Sequence, residues 1–186
     1  MKVSAVREIR CLIIVLIVPW LALAQSSGTS VPKSARQFVQ GFYDWYTPIA
    51  LRDNPGPAYD IALKEKRAVF SPELARLLQE DSDAQARCAE LIGIDFDPFL
   101  FSQDPAERYE VGAIRQHGRF FRADVYGIQA GNRSRSPNVV AEFTQNGDRW
   151  TFVNFYYANP NTDLLSILKS PRAKCTVPRL PDKADP

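Results

Sequence analysis

From Arg108 onward the chain changes period, and that change constrains its fold more than any single motif. Upstream, apolar residues recur at three- and four-residue steps. Downstream, four stretches in succession read as strands: "RYEVGAIRQHG", "RFFRADVYGIQ", "PNVVAEFTQNG" and "RWTFVNFYYAN". Side chains alternate across a strand, so a two-residue period marks a sheet with one buried face. Gly118, the run "AGNRSRSP" and "QNGD" separate these strands as turns. Asn146–Gly147 suits a tight hairpin, because both residues tolerate positive φ.

Helices must then cover one face of that sheet. Lys33–Arg52 places Ala35, Phe38, Val39, Phe42, Tyr46 and Ile49 at helical steps, with Ser34 positioned to cap it and Pro48 to kink or end it. A short helical piece follows over Tyr59–Arg67. The next helix starts with Ser71 as N-cap and Pro72 in the first position, and stops at Gly93. Leu74, Leu77, Leu78, Cys88, Leu91 and Ile92 share one of its faces. A last helix spans Asp163–Lys169. Helices first and antiparallel strands after is the α+β order. The expected fold is a cone-like set of helices packed on a curved antiparallel sheet of about four strands, over residues 34–170.

The ends of the chain set its compartment. Lys2, Arg7 and Arg10 precede the apolar run "CLIIVLIV", and Ala22 and Ala24 satisfy the small-x-small cleavage rule. Residues 1–24 read as a secretory signal, and the apolar run is shorter than the about 20 residues of a membrane span. No stable membrane span is expected after its removal. Three basic residues and one acid leave with it, so the formal charge of +2 falls to zero. A neutral chain has no electrostatic footprint for nucleic acid. A periplasmic or secreted protein is expected, with a flexible segment over 25–33. Cys88 and Cys175 then remain, and an oxidising compartment favours their pairing. That bond would tether the polar, proline-rich tail 171–186.

The stretch "GIDFDPFLFSQD", Gly93–Asp104, poses the sharpest chemical question: an acidic metal loop, or two turns pinning aromatics into a core. A calcium loop needs oxygen ligands at alternate positions and a closing glutamate. Pro98, Phe99 and Leu100 follow Asp97 instead, so the turn reading prevails, with Phe99, Leu100 and Phe101 as a plug between two Asp-Pro turns. His117 is the only histidine and sits beside Gly118, which excludes a multi-histidine metal site. No metal and no cofactor is expected.

Two surfaces remain for function. Tyr43 or Tyr46 with Asp124 or Glu142 could form a pocket in which a tyrosine and a carboxyl group serve isomerase- or lyase-type chemistry. Alternatively, Phe121, Ala123 and Val125 face inward, leaving Arg122, Asp124 and Tyr126 on the outer sheet face as a polar–aromatic binding surface. The absence of a nucleophile–base pair and of a glycine-rich phosphate cradle favours binding of an unknown protein or cell-wall component, an immunity role included, over catalysis.

Helices on a curved sheet are the layout of the cystatin-like superfamily, to which nuclear transport factor 2 and ketosteroid isomerase belong. Five pieces carry a closer likeness: "FYDWY" at Phe42–Tyr46, "FSPELARLL" at Phe70–Leu78, "DPFLFSQD" at Asp97–Asp104, "RWTFVNFYY" at Arg149–Tyr157 and "DLLSIL" at Asp163–Leu168. In this order they resemble a bacterial family of secreted proteins and lipoproteins, the domain of unknown function 3828 type. The resemblance implies a cell-envelope location and a cone-like α+β fold, and it implies no activity. This chain departs from the lipoprotein members by lacking a lipid-box cysteine.

Overall fold

A computed structural model describes residues 31–88, 93–158 and 162–170. Four α-helices pack with an open antiparallel sheet. The helices are α1 (Lys33–Ala50), α2 (Ala58–Glu65), α3 (Pro72–Arg87) and α4 (Leu164–Lys169). The strands are β1 (Arg108–His117), β2 (Phe120–Gln129), β3 (Asn132–Arg133), β4 (Val139–Asn146) and β5 (Arg149–Tyr157). Sheet order is β1-β2-β4-β5, with two-residue β3 pairing β2 beside it. The mixed α+β class and the four long strands match the two-residue period; β3 is too short to leave a periodic trace.

Helix ends follow local chemistry with two departures from expectation. Ser71 caps α3 by accepting from the Leu74 amide, and Asp163 caps α4 by accepting from the Ser166 amide. Ser34 does not cap α1; Pro32 precedes the helix with no side-chain cap, and Ser34 Oγ accepts from Trp150 Nε1 at 3.3 Å. Packing of the indole against the helix start outweighs a local cap. Helix α3 ends at Arg87, not at Gly93, because Cys88 is already extended, with ψ 139°. Leu91 and Ile92 lie outside the described residues. Helix α1 runs two residues past Pro48, to Ala50.

The core lies between α1, α3 and the inner sheet face. Phe121, Ala123 and Val125 pair with Phe143, Ala141 and Val139, and all six face inward. The small pair Ala123–Ala141 leaves depth for the aromatics of α1. Phe42 sits among Tyr46, Phe70, Phe99 and Phe152, with ring centroids 5.0–5.7 Å away. Each such ring contributes about 2–3 kcal/mol of burial.

Gly93–Asp104 forms turns, as its prolines suggest. Asp97 Oδ1 accepts from the amides of Phe99 and Leu100, at 2.9 and 3.0 Å, and Asp97 bridges backbone to Ser102. Phe99 and Leu100 are fully buried. Phe101 is not part of the plug. Its φ of 49° turns it outward, 37% exposed, where it stacks on Tyr157. The second turn is pinned by Ser102 rather than by the Asp104 side chain: Ser102 Oγ donates to the Asp104 carbonyl and accepts from its amide.

Part of each sheet edge is covered. On β1, Gln40 of α1 accepts from Val111 N–H and donates to Tyr109 O, and Arg36 donates to the carbonyls of Val111 and Gly112. On β5, Phe152 accepts from Ser71 N–H, and Tyr157 N–H donates to Thr162 O. Covered stretches of edge do not template further strands. With the inner face filled by the core, the largest sheet surface left to function is its outer face.

Candidate functional site

Strand β2 points Phe120, Arg122, Asp124, Tyr126 and Ile128 outward, because their neighbours Phe121, Ala123 and Val125 are taken by the core. Antiparallel register sets Arg115 opposite Arg122 and Glu142 on its other side. The like charges separate onto different acids. Arg115 Nη1 straddles the Asp124 carboxylate at 2.9 and 3.0 Å. Arg122 Nε donates to Glu142 Oε1 at 2.8 Å, and its Nη2 donates to Tyr156 Oη at 3.0 Å. Asp124 and Glu142 are only 6% and 7% exposed, so the arginines cover them.

Aromatic rings carry two more guanidiniums and share Arg122. Arg122 lies over Tyr156 at 4.3 Å, Arg133 over Tyr126 at 3.6 Å, and Arg119 over Phe120 at 4.8 Å. A bulge makes the Tyr126 stack possible. Val111 pairs Val125 and Ile114 pairs Ala123, so Gly112 and Ala113 together oppose Asp124. A Cβ on Gly112 would stand 2.5 Å from Tyr126 Cε2 and 2.9 Å from Arg133 Nη2. A groove of about 420 Å³ adjoins this face, lined by Glu73, Arg119, Phe120, Glu142, Val153 and Leu165 among others.

The expected binding residues Arg122, Asp124 and Tyr126 thus share one face, with partners that the β2 alternation alone does not name. Arg115, Arg119, Arg133 and Tyr156 are the additions. Plain alternation signals neither Arg115 nor Tyr156, since bulges break the phase of β1 after Val111 and of β5 at Val153.

The expected pocket of Tyr43, Tyr46 and Glu142 does not assemble. Glu142 is on the outer face, whereas both tyrosines are buried in the core. Tyr43 Oη donates to Phe99 O at 3.0 Å. Tyr46 Oη donates to Asp97 Oδ2 at 2.5 Å. Burial, then the nearby Asp97 charge, pushes both hydroxyls well above their usual range. Asp97, rather than Asp124 or Glu142, is the carboxylate partner of the core tyrosine. Burial raises its carboxyl from 3.8 to about 6, against the lowering effect of its bonds from Tyr46, Phe99 and Leu100.

A separate open cleft of about 450 Å³ is lined by Asn54, Pro57, Tyr59, Gln85, Asp95 and Ser102, among others. Among the described residues no group of three or more His, Cys, Asp or Glu side chains could hold a metal ion. No described helix is long and apolar enough to cross a membrane. His117 is exposed at the end of β1. Cys88 is buried and is not a free thiol; Cys175 lies outside the described residues, as do residues 1–30 and 171–186. Comparison with protein-family models, curated proteins and solved structures finds no match.

Proposed function

We propose that this chain is an exported cell-envelope protein that works by binding, through the outer face of its sheet. One observation carries the reading. Arg122, Asp124 and Tyr126 stand on one rigid face, held by Glu142, Arg115 and Arg133, so they are ordered before any partner arrives. Prior ordering lowers the entropic cost of association. The filling of the helix–sheet space by Phe42, Phe70, Phe99 and Phe152 supports binding over catalysis inside that space. Export and the likeness to envelope proteins of unknown function belong to the same proposal, on the strength of the signal-like N-terminus.

The test is affinity capture from envelope extract with Arg122→Ala and Tyr126→Ala, beside Arg76→Ala on exposed α3 as control. A partner held by the parent and the control, and lost by both outer-face variants with their melting temperatures intact, is the expected result. Equal capture by all four proteins refutes the binding face. The cleft beside Tyr59, Gln85 and Asp95 supports a second reading, a small-ligand binder. A thermal-shift screen of envelope metabolites checks it; no ligand raising the melting temperature counts against it.

A further inference from the structure

We infer that the outer sheet face takes an acidic polypeptide segment, docked by a row of ring-stacked arginines. This rests on the binding-face reading and adds the chemistry of the partner. The acids on the face are already committed: Glu110 to Arg108, Asp124 to Arg115 and Glu142 to Arg122. Arg119 and Arg133 have no carboxylate partner among the described residues, and both are exposed. Among these residues cations outnumber anions by two. Charge complementarity calls for a partner with surplus carboxylates.

Geometry narrows the partner further. A guanidinium held over a ring is anchored on its stem side, and its planar set of N–H donors suits a carboxylate's two oxygens. Arg119 and Arg133 stand at the two ends of the row, on Phe120 and Tyr126. Six residues of strand separate those rings, about 20 Å at the usual rise. An extended segment with acids a few residues apart spans that length. At one end a groove beside Arg119 adds Phe120, Val153 and Leu165, and its two acids, Glu73 and Glu142, are paired with Lys169 and Arg122. The stacks also disfavour other polyanions. Sugars and nucleobases bind aromatic faces by stacking, and here Phe120, Tyr126 and Tyr156 are covered by guanidiniums. Strand addition is hindered over Tyr109–Gly112 of β1 by Arg36 and Gln40, and at Phe152 and Tyr157 of β5 by Ser71 and Thr162.

The experiment is fluorescence anisotropy of the full chain with a labelled glutamate-rich peptide and its glutamine counterpart. A single-stranded oligonucleotide and an acidic polysaccharide serve as competing probes. The expected result is binding of the glutamate peptide alone, weakened by salt. The double variant Arg119→Gln/Arg133→Gln should weaken it by about tenfold or more, the scale of losing two charge-assisted contacts, while Arg76→Gln leaves it unchanged. The circular dichroism spectrum of the double variant should match the parent's, and its melting temperature should fall by no more than a few degrees, because both arginines are exposed and only their ring contacts are lost. No binding of the peptide, equal binding by the double variant, or tighter binding of the oligonucleotide or polysaccharide overturns the inference. A captured envelope partner that depends on Arg122 and Tyr126, alongside no peptide binding, removes the acidic-segment inference and leaves the binding face standing.

Discussion

Asp97 is the residue whose surroundings matter most to stability. One oxygen holds the Phe99–Leu100 turn and the other meets Tyr46. Burial raises its folded pKa above the unfolded value, from 3.8 to about 6. The native state then keeps this proton over a wider range than the unfolded chain does. Its contribution to stability is fully present below about pH 4 and is lost as pH rises through about 6. Urea unfolding of parent and Asp97→Asn across that window should show a falling limb in the parent that the variant lacks. Asp97→Ala removes all three accepted bonds and should cost about 2–3 kcal/mol below about pH 4, and less as pH rises through about 6. An identical pH profile for parent and Asn variant would place the titration elsewhere. The Asp-Pro turn was legible in "FDPF". Its pairing with Tyr46, a residue on another element, was not, because no local pattern encodes a contact between α1 and a distant turn.

At the scale of elements, β1 depends on α1 and on its own bulge. Gln40 supplies the donor and acceptor that a neighbouring strand would otherwise provide to Tyr109 and Val111. Gln40→Ala should cost about 1–2 kcal/mol and expose an edge that self-associates, seen as a lower melting temperature and a concentration-dependent rise in light scattering. A variant as stable and monomeric as the parent would show the clamp to be dispensable. Gly112 acts through the face instead. Gly112→Ala puts a methyl group against the Tyr126 ring and Arg133, which are movable side-chain ends, so the fold should survive. The Arg133–Tyr126 stack should be displaced, with a loss of about 1 kcal/mol and a changed tyrosine signal in the near-UV. An unaltered near-UV spectrum would contradict the packing of that stack.

For the whole molecule, the aromatic core and the proposed Cys88–Cys175 bond are the two global terms. Phe152 touches Phe38, Phe42 and Phe143, and Phe152→Ala should cost about 3–5 kcal/mol, read by denaturant unfolding. A loss under about 1 kcal/mol would mean the core closes over the gap. The proposed disulfide spans 175 − 88 = 87 residues. Chain-entropy arguments put the gain from such a loop at about 4–5 kcal/mol as an upper figure. Non-reducing peptide mapping should recover the linked pair, and reduction should lower the melting temperature. Two alkylatable thiols in the native protein would refute the pairing.

Taken alone, the sequence determined what depends on short spans of chain. Strand and helix periods, the Asn146–Gly147 hairpin, the Ser71 and Asp163 ends and the inward phase of Phe121, Ala123 and Val125 all repeat within a few residues. Side-chain direction is locked to backbone period, so these are local facts. Tertiary structure decided what needs two elements to meet. It sent Tyr43 and Tyr46 into the core and Glu142 to the opposite face, turned Phe101 outward, and drew Ser34 to Trp150. It also brought Arg115, Arg119, Arg133 and Tyr156 onto one surface. A bulge at Gly112 and the register between strands set those meetings, and both follow from packing across the sheet rather than from the order of residues along one strand.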